Sequence, residues 1–387
     1  MFIQRPYYHE QIQQAFETHP VVAILGPRQC GKTTLAREYF EAQAYHPIEN
    51  YFDLEDYQHL ERLKNPKLAL HALKDIVVID EIQLRPELFP VLRVLVDRPS
   101  NQQRYLVLGS ASRDLIQQSS ETLAGRIYYL ELSPLSYFDH LEFSQYWSRG
   151  GFPKSYLAPT DQGSREWRRN YIKTYLERDI PQLGFNVPAL MLRRFWMMLA
   201  QYHGNIFNAS ELGKSMQIAS TTCKRYLDIL SGTFMVRVLQ PWFENVSKRQ
   251  VKSPKIYFRD SGIYHSLLGI EDFSTLTVHP KLGASWEGLA MEEVIRFHRV
   301  DENDCYFWAA HQAGELDLLI FSQGKRLGFE FKYSDVVTLT RSMKIALDIL
   351  KLERLIVINP GKHSFQLAEK VWVIGLDAYL WKAIQQP

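Results

Sequence analysis

The chain has little cysteine, no long apolar run and almost no net charge, and each shortage excludes something. Its 387 residues include three cysteines, Cys30, Cys223 and Cys305. They lie far apart, so they form neither a zinc-ligand pattern nor a disulfide framework. A reduced, cytosolic location is the simplest expectation. No apolar run approaches the roughly 20 residues that a helix needs to span a bilayer. The start, Met1-Phe2-Ile3-Gln4-Arg5-Pro6, lacks a signal-peptide core. Formal net charge is only +2, so affinity for nucleic acid would have to come from local patches. A hydrophobic content of 46% and an aromatic content of 13% argue against disorder. The length exceeds one ordinary core, so two or three domains are expected.

What is present centres on Val21 to Phe40, VVAILGPRQCGKTTLAREYF. Val21 to Leu25 reads as a buried strand and Thr33 to Phe40 as a helix. Between them Gly26-Pro27-Arg28-Gln29-Cys30-Gly31-Lys32-Thr33 fits G-x-x-x-x-G-K-[ST], the phosphate-binding loop. Gly26 and Gly31 allow backbone conformations that a side chain would block. Successive N–H groups, with Thr34 in the first helical turn, then wrap a phosphate, and the helix aims its positive end at the same anion. Lys32 can reach the β- and γ-phosphates, and Thr33 can ligate Mg²⁺.

Further apolar runs follow: Tyr51 to Leu54, Asp75 to Asp80, Arg104 to Leu108 and Ile127 to Leu132. Runs buried on both faces belong to parallel sheets, and alternation with helical segments predicts an α/β nucleotide domain. Asp80 and Glu81 end the DIVVID run. The first can help to hold Mg²⁺, and the second can orient an attacking water as a base. Ser110, at the end of the next run, is placed to sense a γ-phosphate. Ser112, before Arg113-Asp114-Leu115, reads as a helix cap.

The series GPRQCGKTTLAR, VVIDEIQ with LFPVLRVLVD, LGSASRDL, LAGRI and LSPLSYFD resembles a prokaryotic family of AAA-type ATPases whose C-terminal half is known as a domain of unknown function. The likeness continues through GGFPKSY, YLERDI, VKSPKIYFRDSGIYHSLLG and GELDLLIF…GFEFKYS, nearly the whole chain. The first two motifs are generic to P-loop ATPases; the ordered series is specific. The resemblance implies an ATPase domain, a winged-helix-like segment and a terminal nuclease-like domain, here expected at 1–165, 166–279 and 280–387. AAA-type ATPases use an arginine to stabilise the transferring phosphoryl group, often from a neighbouring subunit. Arg126 in LAGRI and Arg178 in YLERDI are the candidates, and each also fits a surface salt bridge. Trp167 to Pro181 reads as a helix of mixed charge.

In the middle, Asn208 or Ser210 caps a short helix, and Thr221 to Ser231 gives a second, with an apolar stripe at Cys223, Tyr226, Leu227 and Leu230. Phe234 to Leu239 and Lys255 to Phe258 read as a hairpin. Helix, turn, helix, hairpin is the order of a winged helix, whose second helix enters a DNA major groove. Ser220, Thr221, Thr222, Lys224 and Arg225 would lead that helix. Lys248, Arg249, Lys252 and Lys255, in and beside the hairpin tip, are basic enough to touch phosphates. The alternative is a module that only packs domains together.

After Pro280 the order is a helix over Ser285 to Arg299, three strand-like runs (Cys305 to Ala310, Glu315 to Phe321, Arg326 to Tyr333), a helix over Leu339 to Leu352 and a strand over Leu355 to Ile358. That order resembles the core of PD-(D/E)XK nucleases. Glu330 and Lys332 share one strand face, Asp317 lies on an adjoining run, and Glu287 on the first helix adds a carboxylate. Such oxygens suit Mg²⁺ or Mn²⁺, and Lys332 would steady developing phosphate charge. The cluster is either catalytic or an inherited structural feature, since a fold licenses no activity by itself.

The expected function is therefore Mg²⁺-dependent ATP hydrolysis coupled to binding or remodelling of duplex or branched DNA, in a homo-oligomer, with a hexameric ring as one form. A different class is a nucleotide-gated switch whose C-terminal half is a non-catalytic recognition module. No membrane partner is expected.

Overall fold

Buried strand β1, Val21–Leu25, lies inside a parallel sheet with β2 (Tyr51–Asp53), β3 (Ile76–Asp80), β4 (Arg104–Gly109) and β5 (Ile127–Glu131), in the order β2-β3-β4-β1-β5. This computed structural model describes residues 3–44, 47–99, 101–111, 122–244, 251–310 and 314–384. Alternate side chains of a strand face opposite ways, and here both ways are covered. Val22, Ile24, Leu106 and Leu108 pack with Ile12 and Phe16 of the Pro6–Thr18 helix. Val21, Ala23, Val77, Ile79 and Val107 pack with Leu88, Phe89, Leu92 and Leu95 of the Leu88–Val96 helix. That double burial is why the strands read as unbroken apolar runs.

The Asp161–Thr174 helix, capped by Thr160, starts six residues before the expected Trp167. It passes through a π turn, Tyr175–Asp179, into Ile180–Gln182. Asn208 caps the Ala209–Met216 helix by accepting from the N–H groups of Ser210 and Glu211. The Ser220–Gly232 helix buries Cys223, Tyr226, Leu227 and Leu230, as its stripe predicts. Strands β6 (Asn205–Ile206), β7 (Val236–Pro241) and β8 (Lys255–Phe258) follow, with β8 antiparallel to both its neighbours. Ser112, Lys248 and Arg249 lie outside the described residues.

The C-terminal part contains the Leu282–His298 helix, β9 (Cys305–Ala310), β10 (Gly314–Ser322), β11 (Lys325–Phe331), the Arg341–Leu350 helix and β12 (Arg354–Asn359), in the expected order. Three elements beyond it were not expected: β13 (Ser364–Ala368), β14 (Val371–Gly375) and the Leu376–Ile384 helix. The hairpin differs more from expectation. Its strand β7 pairs in parallel with β9, Gln240 opposite Tyr306 and Pro241 opposite Phe307. One nine-stranded sheet therefore runs β13-β14-β12-β11-β10-β9-β7-β8-β6, across the boundary expected near 280. A strand edge leaves backbone donors and acceptors unpaired. Sequence alternation marks a strand without saying which neighbour satisfies that edge.

A buried ionic junction holds the sheet to the first domain. Arg237 on β7 binds Glu292 of the Leu282–His298 helix through two nitrogens, at 2.5 and 3.1 Å. Arg259, just after β8, reaches both Glu292 and Glu131, the last residue of β5. Burial alone would raise Glu292; Arg237 and then Arg259 hold it down at about 2. The three cysteines are buried and free. Among the described residues, no helix is long and apolar enough to cross a membrane.

Candidate functional site

The loop after β1 is shaped by contacts that leave no room for larger residues. A Cβ on Gly26 would lie 2.2 Å from the Leu132 carbonyl oxygen. Gly31 has a φ of 107°, in the left-handed region that glycine tolerates. Cys30 points into the protein, with Sγ 3.5 Å from the Leu132 carbonyl, and burial pushes its thiol up. Only its backbone can face a phosphate. Pro27 is buried, while Gln29 and Thr34 are exposed. Lys32 opens the Lys32–Glu41 helix and folds back, its Nζ donating to the carbonyls of Gly26 and Pro27 at 2.9 Å each. The ammonium thus sits inside the loop's own curve.

Strand order explains what meets the loop. β4 lies between β1 and β3, so the ends of all three strands converge. Thr33 Oγ1 donates to Asp80 Oδ2 at 2.8 Å, and Tyr51 OH donates to the same oxygen at 3.2 Å. Burial raises the Asp80 carboxyl more than the Thr33 hydrogen bond lowers it. A buried carboxylate beside a hydroxyl fits a small hard cation. Glu81 follows with a φ of 56°, an uncommon conformation for a non-glycine residue. Its Oε2 accepts from Ser110 Oγ at 3.1 Å, and Gln83 donates to the same carboxylate. The Gln83 side chain also accepts from the Ser110 N–H at 3.2 Å. Lys32, Thr33, Asp80, Glu81 and Ser110 are thus brought together.

The two candidate arginines are placed differently. Arg126 precedes β5, at the strand end opposite the loop, and forms a two-pronged pair with Asp97 at 2.5 and 2.9 Å. Within this chain it is remote from Lys32. Arg178 lies in the π turn, with Nε 3.1 Å from Asp179 Oδ1. The same Asp179 oxygen accepts from Arg28 of the loop at 2.6 Å. Sequence reasoning missed Tyr51, Gln83 and Asp179 in this site. Gln83 stands two residues after Glu81, and that spacing was the available signal. Nothing in the sequence links Tyr51 or Asp179 to the loop.

The second constellation lies at the far sheet. Leu318 pairs with Phe329, which puts Asp317 and Glu330 next along the β10–β11 pair. The β9–β10 register shifts between Leu316 and Leu319, a bulge of the kind that re-aims side chains. Lys332 Nζ lies 2.9 Å from Glu330 Oε2 and 3.7 Å from Asp317 Oδ2. Glu287 accepts from Tyr257 OH at 2.6 Å. Burial first, and then the Asp317 carboxylate, push both Glu287 and Glu330 up. Among the described residues, no three His, Cys, Asp or Glu side chains stand together as a ready metal cage. Lys255 was expected beside an exposed hairpin tip. Instead it is 4% exposed, paired with Glu315 and 3.8 Å from Asp317 Oδ1. Pairing of β7 with β9 turns its strand toward the acidic cluster, so Lys255 is not a surface contact for phosphates.

Residues 18–141 match the AAA domain family, 140–274 a domain of unknown function (DUF8612) and 282–379 a second domain of unknown function (DUF4143). An uncharacterized protein of Mycobacterium tuberculosis is 45% identical over 382 residues, covering 98% of this chain and 85% of the relative. An uncharacterized protein of Mycobacterium bovis matches with the same figures. Among solved structures, a Walker-type ATPase of Pyrococcus abyssi aligns over 69% of this chain and 96% of its own, at 14% identity and a TM-score of 0.42.

Proposed function

This chain belongs to the family of those two mycobacterial proteins, a P-loop AAA domain followed by two domains of unknown function, and from that premise we propose that it hydrolyses ATP with Mg²⁺ and couples the reaction to DNA. The observation that carries the ATPase part is the convergence of Thr33, Asp80, Glu81 and Ser110 on the loop that holds Lys32. Lys32 leaves its two carbonyls for the β- and γ-phosphates. Thr33 and Asp80 would hold Mg²⁺, which would supply charge neutralisation for the phosphates. Glu81, steered by Ser110 and Gln83, orients the attacking water and takes its proton. Ser110, hydrogen-bonded to Glu81, can register whether a γ-phosphate is present.

The coupling to DNA rests on the middle segment, which we read as winged-helix-like. Thr221, Lys224 and Arg225 are exposed on the Ser220–Gly232 helix, and Lys252 is exposed before β8. The 282–379 region we read as PD-(D/E)XK nuclease-like, on the order of its elements and the meeting of Asp317, Glu330 and Lys332. A cation among Glu287, Asp317 and Glu330 would offset the burial, and after it the Asp317 charge, that raise Glu287 and Glu330, and would supply Lewis acidity there. In this reading the protein is cytoplasmic and acts as a homo-oligomer, in which Arg126 would exchange its exposed partner Asp97 for the nucleotide of a neighbouring subunit.

One observation favours a second reading, the nucleotide-gated switch. The hairpin is built into the C-terminal sheet and tied through Arg259 to Glu131, whose strand neighbours β1. A change at the loop then reaches the C-terminal half as one body, without any motor stroke. The ATPase rate of the purified protein, alone and with single-stranded, duplex and branched DNA, separates the two. Strong stimulation by one DNA form supports the first. A slow rate indifferent to all DNA supports the switch.

A further inference from the structure

Arg28 occupies the third position of the loop and turns away from its centre. Its Nη1 donates to Asp179 Oδ1 and to Gln182 Oε1, at 2.6 Å each, and its Nη2 pairs with Glu55. Its carbonyl accepts from Tyr171 OH at 3.3 Å. All four partners belong to other elements: Glu55 follows β2, and the rest lie along the run from the Asp161–Thr174 helix to Gln182. Burial disfavours the guanidinium charge, but Asp179, then Glu81 and Glu55, more than restore it. Arg28 is therefore held as a cation by these carboxylates. It borders a cleft also lined by Gln83, Ser110, Asp179 and Gln182.

Asp179 is 4% exposed. A carboxylate so buried is costly when left without a cation. A substitute is already in place, because Arg178 Nε donates to the same Oδ1 at 3.1 Å, and Arg178 is 55% exposed and free to close in. A guanidinium binds phosphate oxygens with the same planar fork that it offers a carboxylate.

We propose that Arg28 is a ligand of the terminal phosphate of the nucleotide bound by its own chain, and that Asp179 is the counter-ion that holds Arg28 when that phosphate is absent. This rests on the nucleotide reading given above. ATP takes Arg28 from Asp179, and Arg178 keeps the vacated carboxylate paired. ADP lacks the competing group, so Arg28 returns. The exchange bears on the π turn that contains Asp179, and π turns inside helices mark functional sites. Tyr175, in the same turn, has its hydroxyl 2.5 Å from Thr233 Oγ1, at the end of the Ser220–Gly232 helix. The state of the terminal phosphate thereby reaches the middle segment through one side-chain exchange.

The test measures affinities for ATPγS and ADP, and the ATP turnover rate, in the full-length wild type, Arg28→Ala, Arg28→Lys and Asp179→Asn. Asp179→Asn removes the competing charge with little change of shape. It should tighten ATPγS several-fold and leave ADP within about twofold, since ADP has no group to gain (a factor of two is about 0.4 kcal/mol). Arg28→Ala should erase the preference for ATPγS and slow turnover by roughly a hundredfold or more, the scale for one lost transition-state donor. Arg28→Lys should fall between, which a loss of folding would not produce. If the Asp179 and Arg28 variants shift both nucleotides alike, the pair is a strut and the inference is overturned. If the wild type binds neither nucleotide, the nucleotide reading itself fails, and the inference with it.

Discussion

Thr33 Oγ1 donates a 2.8 Å hydrogen bond to Asp80 Oδ2, joining the loop after β1 to the end of β3 across the intervening β4. The two groups that would share one metal ion are thus already in contact. Thr33→Ala should lower Mg²⁺-dependent turnover at least roughly tenfold, on the scale seen when groups around a metal are removed. Raising the Mg²⁺ concentration should recover part of the loss. Titrating activity against Mg²⁺ in both proteins checks this, and coincident curves would remove Thr33 from the metal's surroundings.

Gly26 has no space for a side chain, because a Cβ there would meet the Leu132 carbonyl oxygen at 2.2 Å. Neither atom sits on a flexible side chain that could swing away. Gly26→Ala should cost on the order of 1–3 kcal/mol, as forced overpacking does, and should distort the loop enough to weaken nucleotide binding. Urea unfolding together with a nucleotide-binding titration checks both effects. An unchanged midpoint would mean that the loop and the Leu132 carbonyl can move apart at little cost.

His203 and His265 join the Leu282–His298 helix to the middle of the chain. The Phe258 N–H donates to His203 Nδ1 at 2.9 Å, so Nε2 carries the proton and donates to the Ala284 carbonyl at 3.0 Å. His265 has Nε2 2.7 Å from Ser285 Oγ and Nδ1 3.3 Å from the Ser148 carbonyl. Burial pushes both imidazoles down to about 3. The unfolded chain then binds protons below its ordinary value near 6.5, and the folded chain does not until about 3. Stability is therefore complete above pH 6.5 and falls as the pH drops toward 3. Each histidine should account for about 2 kcal/mol of loss by pH 5. Denaturant midpoints from pH 7.5 to pH 5 should show this slope, flattened in the double variant His203→Gln, His265→Gln. An equal slope in that variant would place the acid sensitivity elsewhere.

Much of the first domain was legible because parallel strands announce themselves. VVAIL and IVVID are buried on both faces, and each leads directly into residues of the candidate site. The C-terminal core was legible in outline for the same reason, and Glu330 and Lys332 share a face by strand period alone. What could not be read was pairing between distant edges. Nothing in VRVLQP says that its partner is CYFWAA, and that one pairing turns Lys255 from an expected surface contact into a buried neighbour of Asp317. The same holds for Arg28 and Asp179, 151 residues apart, whose contact depends on how a helix crosses the loop. Periodicity reports an element's own faces and carries no information on such crossings.

At the C-terminal cluster, Asp317 lies between Lys255 and Lys332 and adds to the burial that raises Glu287 and Glu330. Calorimetric titration of Mn²⁺ into the wild type should give a saturable heat that Asp317→Ala abolishes. Lys332→Ala should retain it, because removing a cation leaves the carboxylates in greater need of one. Identical heats from the wild type and Asp317→Ala would mean that the cluster holds no metal.

In the proposed reaction Glu81 orients the water that attacks ATP held by Lys32. Its most direct test is to measure bound ATP and steady-state hydrolysis in the wild type, Glu81→Gln and Lys32→Ala. Glu81→Gln should retain ATP at near wild-type affinity while hydrolysis falls by roughly a hundredfold or more, the range for a lost general base. Lys32→Ala should lose both. Hydrolysis by Glu81→Gln at the wild-type rate would remove Glu81 from that role.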